Sequence, residues 1–349
     1  MFPAFLWILV LLLAFANGAN DNFKGVATIY GSGISTRGAA LAWGTVTTLS
    51  GSMFSLPVSE GLVRAFSGED WVEPEVLSVP AFALVVAASA GSTVLLATFL
   101  GMPISTTHAL VGALAGVAIM ASSDPSWLPV LGMVFFLPML TSPLVSWALS
   151  LGANRLVRAW EPACVCVARA ERGLGSLPVL VSGSDSECCA HGAVPVLRSA
   201  WWVDGAHISG AGAVGFARGL SDTPKLVGIL LIGGSVPADW SSTLAIGLAM
   251  AAGGILASRG VAKTIGLRLT PMSSGQGATT NLLTSLVVVA AGGLGLAVST
   301  THVSCGSIFG LGSARGELSR KWAAAVAASW LFTLPVSGGL AAGLWSWWA

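Results

Sequence analysis

Two aspartates and two lysines lie within stretches apolar enough to cross a bilayer. Asp21 precedes Lys24 by three positions, and Asp222 precedes Lys225 by the same interval. On a helix that spacing puts each carboxylate one turn from an ammonium. An ionised group at the bilayer centre costs about 2.5 to 3.5 kcal/mol, so four without partners would cost about 10 to 14 kcal/mol. They must therefore be compensated, either as two structural ion pairs or as the lining of an ion path. The path is favoured because both pairs stand beside chain-breaking residues: Gly18, Gly31 and Gly33 for the first, Gly219 and Pro224 for the second. Both sites are expected to interrupt long helices, exposing backbone N–H and C=O groups that can solvate a buried ion.

A second chemistry is carried by hydroxyls. Ser105, Thr106 and Thr107 stand immediately before His108, and Ser299, Thr300 and Thr301 before His302. Each triplet joins an apolar segment to the start of the next helix, where backbone donors and a positive partial charge suit a tetrahedral oxyanion. A single copy would read as ordinary N-capping, whereas duplication favours substrate binding. The glycines four and eight positions after each histidine, Gly112 with Gly116 and Gly306 with Gly310, let the helix approach a neighbour closely. His108 and His302 could transfer protons, but a structural role is the better reading. Asp204 and His207 read as a satisfied polar pair rather than a relay, and Arg218 can pair with Asp222 or face an anion.

The elements that must hold these residues follow from composition. Among 349 residues, 54% are apolar and only 9% charged, with 44 glycines and a net charge of +1. Mean hydropathy is +0.82. A soluble domain carries about 25% charged residues, and a near-neutral chain has no basic surface for nucleic acid. Apolar runs at roughly 4–35, 39–58, 79–100, 108–122 and 128–151 are followed, beyond a polar stretch, by runs at 201–236, 241–258, 278–298, 303–313 and 322–348. The chain therefore reads as an all-α polytopic membrane protein. The first run continues into the Asn20-Asp21 motif and reads as a mature span rather than a cleaved signal. Trp127, Trp160, Trp240, Trp322, Trp345, Trp347 and Trp348 fall near span ends, as in an interfacial belt.

The two motif pairs repeat in the same order. Phe15 to Asp21 matches Phe216 to Asp222 at an offset of 201, and Gly101 to His108 matches Gly295 to His302 at an offset of 194. Residues 1–151 and 201–349 thus read as duplicated transmembrane repeats joined by a central loop, 152–200. If each Ser-Thr-Thr-His segment tips a re-entrant hairpin, each repeat crosses three times and the second copy is inverted. With the central loop cytoplasmic and both termini outside, and with Lys24, Arg218 and Lys225 set aside within spans, twelve basic residues fall inside and only Arg64 outside. Within the loop, Cys164, Cys166, Cys188, Cys189 and His191 could ligate a metal, but the spacing is not a strong zinc pattern, and reduced thiols are favoured.

These motifs resemble the inorganic phosphate transporter (PiT) family, with two inverted halves, each carrying a Gly-x-Asn-Asp and a Pro-Val-Ser-Thr-Thr-His motif. The resemblance spans nearly the whole chain outside the central loop. It implies a secondary active transporter, not an enzyme, that imports phosphate by alternating access with proton or sodium coupling. No cofactor beyond the coupling ion is implied. By this resemblance Asn20, Ser105, Thr106, Thr107, Ser299, Thr300 and Thr301 belong to the substrate site, with Lys24 and Lys225 beside it. Asp21, Asp222 and Ser221 belong to ion coupling, with sodium expected near the two aspartates. In this sequence, however, Lys24 and Lys225 replace the family's asparagine, Ser221 replaces Asn in the second motif, and Ala297 replaces the second hairpin's proline. An ammonium in those places could stand in for sodium or point at the anion. Sulfate is the nearest alternative substrate, and a membrane-embedded hydrolase using Asp21 and Asp222 is the rival from another class. The expected setting is the inner (cell) membrane, with a homodimer as the expected assembly.

Overall fold

A computed structural model describes residues 2–69, 71–122, 127–158, 163–170, 177–184, 194–198, 201–232 and 239–348. Ten helices dominate. In the first half they are α1 (Phe2–Asp21), α2 (Arg37–Met53), α3 (Pro80–Phe99), α4 (Thr106–Ala121) and α5 (Leu137–Arg158). In the second they are α6 (Trp201–Leu231), α7 (Trp240–Ala257), α8 (Ser274–Gly293), α9 (Thr300–Arg315) and α10 (Arg320–Trp348). Short helices fill the connections, among them Ala27–Gly31 after α1 and Glu60–Ser67 after α2. A π-helical turn, Leu131–Phe136, leads into α5, and another, Thr264–Arg268, precedes α8.

Among the described residues, five segments are long and apolar enough to cross a membrane: Phe2–Asp21, Pro80–Phe99, Trp127–Ala153, Trp240–Ala257 and Arg320–Trp348. The apolar runs in the sequence thus correspond to helices, with boundaries shifted by a few residues. The central stretch differs from the expectation of a plain linker. It holds a three-stranded antiparallel sheet in the order β2-β1-β3, built from Ala163–Ala170 (β1), Leu177–Ser184 (β2) and Val194–Arg198 (β3). Val165 and Val167 on β1, Val179 and Val181 on β2 and Val194 and Val196 on β3 supply the β-branched residues that favour strands. Cys164 and Cys166 lie on β1, while Cys188, Cys189 and His191 lie outside the described residues.

Helices from opposite halves interlock. α1 packs on α7 as α6 packs on α2, and α4 packs on α10 as α9 packs on α5. Glycine makes these approaches possible. A Cβ at Gly18 would overlap the backbone of Met250, and one at Gly219 the backbone of Thr48. Gly112 and Gly116 face the carbonyls of Leu334 and Gly338, just as Gly306 and Gly310 face those of Pro143 and Trp147. Small residues at these contacts bring backbones close enough for dispersion to hold helices together in lipid, where burial of apolar surface offers little. Ser337 adds a hydrogen bond to Ala109 O at 2.6 Å across the α4–α10 contact.

The tryptophans divide. Trp240, Trp347 and Trp348 are exposed at helix ends, as a belt requires, but Trp127 and Trp345 are buried, Trp345 edge-on to Phe82. Trp322 lies under the Arg268 guanidinium, 4.3 Å from its ring centroid. Trp160 is outside the described residues.

Alanine ordinarily stabilises a helix over glycine by about 1 kcal/mol. Gly116→Ala should reverse that sign, costing about 1 to 3 kcal/mol because backbone must move. Gly339→Ala on α10, where a Cβ meets nothing within 4 Å, should be neutral or stabilising. Thermal unfolding of the two purified variants in detergent compares them directly.

Candidate functional site

The two aspartate–lysine pairs come together at the centre of the interlocked helices, but the local structure differs between them. α1 ends at Asp21, the chain turns through residues 22–26, and the short helix Ala27–Gly31 follows. Asn22 and Gly25 are weak helix formers, and the Asn22 amide is drawn aside to donate to Thr45 Oγ1 at 2.8 Å. The first break is therefore present as expected. The second is not: α6 runs unbroken from Trp201 to Leu231 with Pro224 inside it. Proline's φ is helical, so its cost is the missing N–H and the orphaned carbonyl four residues earlier. That carbonyl, Leu220 O, accepts from Ser59 Oγ at 3.0 Å, which lets the helix continue.

Asp21, Lys24, Arg218, Asp222 and Lys225 are all at most 4% exposed. Lys24 Nζ donates to Asp21 Oδ1, to Ile104 O at 2.7 Å and to Thr301 Oγ1. Lys225 Nζ donates to Asp222 Oδ1 at 3.1 Å, to Val298 O at 3.1 Å and to Thr107 Oγ1 at 2.9 Å. Each ammonium thus binds its own aspartate, a carbonyl of its own half's Ser-Thr-Thr hairpin and a threonine of the other half's. The pattern is reciprocal at offsets of 201 and 194.

The hairpins are helix-turn-helix units, α3–α4 and α8–α9, whose turns carry a left-handed glycine: Gly101 at φ 67° and Gly295 at φ 69°. Ser105 and Ser299 cap α4 and α9, accepting from the backbone N–H of His108 at 3.0 Å and His302 at 3.3 Å. As caps these hydroxyls accept one bond each and keep their own O–H to donate; Ser105 Oγ also lies 2.9 Å from His108 Nδ1. Thr106 Oγ1 reaches Asp21 Oδ2 at 3.4 Å, and Thr301 Oγ1 donates to Ile104 O at 2.9 Å, tying the two tips together. Thr300 is buried beside them. The first N–H groups of α4 and α9 have no partner within their own helices. The two histidine rings meet at a tilt of 48° with centroids 4.2 Å apart, and the His302 ring centroid lies 3.9 Å from that of Trp330.

The substrate-site candidate Asn20 and the ion-coupling candidate Ser221 stand in contrasting surroundings. Asn20 is used completely in holding the first hairpin: Nδ2 donates to Thr98 Oγ1 at 2.9 Å and Met102 O at 3.0 Å, and Oδ1 accepts from Ile104 N at 3.1 Å. Ser221, its counterpart, is buried and its hydroxyl has no partner. Asp204 and His207 meet at a shared hydroxyl elsewhere, Ser274 Oγ donating to Asp204 Oδ1 at 2.5 Å and lying 3.4 Å from His207 Nδ1.

Asn17 is the residue that the chemistry of the motifs did not single out. Its amide donates to Asp222 Oδ2 at 3.2 Å and to Asp21 Oδ2 at 3.4 Å, while Oδ1 accepts from Arg218 Nη2 at 2.5 Å. Arg218 also donates to Asn22 Oδ1 at 3.1 Å and pairs with Asp222 Oδ2 at 3.4 Å. Asn17 and Arg218 are counterparts at the offset of 201. These two counterparts touch each other, as His108 and His302, counterparts at the offset of 194, also do. The signal was in the alignment: an asparagine opposite an arginine within otherwise matching motifs. With both carboxylates ionised, the two aspartates and three cations leave one positive charge over, which favours an anion in the same space.

The sequence pattern of the phosphate transporter family matches residues 17–341. The chain belongs to this family. Similar curated relatives include a protein of Mycobacterium leprae named "Probable low-affinity inorganic phosphate transporter", 26% identical over 97% of this chain and 77% of its own. A protein of the same name from Mycobacterium tuberculosis (strain ATCC 25618 / H37Rv) is 26% identical over 96% of this chain and 75% of its own. A solved structure described as "The sodium-dependent phosphate transporter" shares the fold, with a TM-score of 0.77 over 99% of this chain and 98% of that chain at 21% identity. Membership in a family of transporters, together with the long apolar helices, makes this an integral membrane protein and sets the hydrolase reading aside.

Truncating Asn17→Ala removes the shortest hydrogen bond of Arg218 and one donor from an oxygen of each aspartate. Loss of a buried partner to charged groups costs about 1.5 to 3 kcal/mol. The variant should unfold at a lower temperature and take up phosphate at least tenfold more slowly, measured in proteoliposomes against the parent.

Proposed function

We propose that the protein imports inorganic phosphate across the cell membrane by alternating access of two inverted repeats, residues 1–151 and 201–349. The central loop would be cytoplasmic and both termini external. The reciprocal bonding of Lys24 and Lys225 supports this reading: each of the three contacts of one ammonium has its counterpart in a contact of the other. Two such halves can exchange roles, so that whatever opens the site on one side has a matching route on the other.

The anion would sit between the starts of α4 and α9, where the first-turn N–H groups of Thr106, Thr107, Thr300 and Thr301 have no partner within their own helices. The surplus charge of the Arg218 cluster would offset that of the anion. Backbone donors at helix starts suit phosphate because they supply hydrogen bonds without adding ionised groups to the membrane.

Coupling would differ from a scheme with two sodium ions. Each ammonium is surrounded by a carboxylate, a main-chain carbonyl and a threonine hydroxyl, the oxygen ligands that a hard cation takes. Lys24 and Lys225 would therefore serve as tethered cations in place of sodium, leaving protons or a single sodium ion to drive uptake. Sulfate differs from phosphate in charge and protonation rather than shape, and competition between the two in the same assay ranks them.

Radiolabelled phosphate uptake into proteoliposomes tests both parts. Combined Thr107→Val and Thr301→Val substitution should lower uptake by at least tenfold, and unchanged uptake would remove these tips from the site. The parent should need at most one sodium ion per anion, whereas Lys24→Asn should acquire a sodium requirement. A parent that consumes two or more sodium ions per phosphate would overturn the lysine assignment.

A further inference from the structure

The two hairpin tips hold the same side chains but are anchored very differently. The first is tied to its surroundings along most of its turn. Asn20 grips Thr98, Met102 and Ile104 with three hydrogen bonds. Gly101 O accepts from Thr264 Oγ1 at 2.8 Å, and Pro103 O accepts from Trp330 Nε1 at 3.2 Å.

In the second hairpin these anchors are absent position by position. Ser221 replaces Asn20, and its buried hydroxyl bonds to nothing. Gly292 replaces Thr98, Gly293 replaces Phe99 and Ala297 replaces Pro103. The N–H of Val298, counterpart of Ile104, turns inward to Leu296 O at 2.9 Å. Among the described residues, Lys225 makes the one hydrogen bond that reaches the main chain of this tip from outside, at Val298 O. A Cβ at Gly292 or Gly293 would meet nothing within 4 Å, so packing does not demand glycine there. What two glycines at the end of α8 supply is backbone freedom.

We infer that Asn20 is a positioning residue that fixes the first Ser-Thr-Thr tip as a stationary wall, and that the second hairpin, hinged at Gly292 and Gly293, is the moving gate over the site. The inference rests on the transport reading above. Its physical basis is the count of restraints: opening the first tip breaks several buried hydrogen bonds at once, whereas opening the second breaks the contact from Lys225 together with the tip-to-tip contacts. Regions with few buried bonds open at low free energy, and moving elements are drawn from them. Ser221 explains why the halves, alike in their ion pairs, need not move alike.

Hydrogen–deuterium exchange of the parent protein in lipid nanodiscs without phosphate is the direct test. Amides at 296–298 should exchange at least tenfold faster than that of Ile104, and equal protection of the two tips would overturn the inference. Gly292→Ala with Gly293→Ala, placed where a methyl meets no neighbour, should slow exchange at 296–298 and cut phosphate uptake at least fivefold while phosphate affinity stays within twofold. Uptake at the parental rate despite slowed exchange would equally overturn it. A parent that neither binds nor transports phosphate would instead refute the functional reading, and the exchange comparison would still decide which hairpin moves.

Discussion

Charge buried in a low-dielectric centre must be matched within the protein, and that constraint organises the rest of this molecule. Five charged side chains meet between the halves, each almost wholly buried. The match comes from three sources: carboxylates one helical turn away, main-chain carbonyls exposed at hairpin turns, and hydroxyls from the opposite half. None is sufficient alone. A buried ion pair stripped of its further hydrogen bonds loses more in desolvation than it regains in attraction, so the hairpin tips are as necessary to the lysines as the aspartates are.

That requirement dictates the packing. For Thr301 to reach Lys24 and Thr107 to reach Lys225, each hairpin must cross into the other half, and the helices behind must close to backbone contact. Gly112 against Leu334 and Gly306 against Pro143 provide that closeness. The exchanged pairs α1–α7 with α6–α2, and α4–α10 with α9–α5, hold the centre from both sides. The same interlocking lets Asn17 lie opposite Arg218, where an asparagine can satisfy two carboxylates and a guanidinium at once.

Much of this was legible in the residues. Apolar runs marked the ten long helices, since a membrane chain must be helical wherever lipid touches it. Duplicated motifs marked the residues that would meet, because two copies of a rare polar pattern in an apolar chain need one another. What escaped the sequence depended on bonds between distant segments. Pro224 suggested a broken helix, but Ser59, far away in the chain, supplies the missing partner for Leu220 O. Asn20 and Ser221 occupy equivalent positions, yet one is wholly engaged and the other unbonded: Thr98 has a side chain to offer where Gly292 has none, and the Val298 N–H, counterpart of the Ile104 N–H that Asn20 binds, is taken by Leu296 O. The central strands were hidden by a composition of Gly, Pro and Ser that reads as a linker.

The central claim is that the two Ser-Thr-Thr tips and the paired acid and amine groups surround a single anion. A cryo-EM map of the protein in nanodiscs with saturating phosphate examines it most directly. The account predicts tetrahedral density between the starts of α4 and α9, within hydrogen-bond distance of Thr106, Thr107, Thr300 or Thr301. Phosphate density lying away from both tips, with the space between them closed, would contradict it.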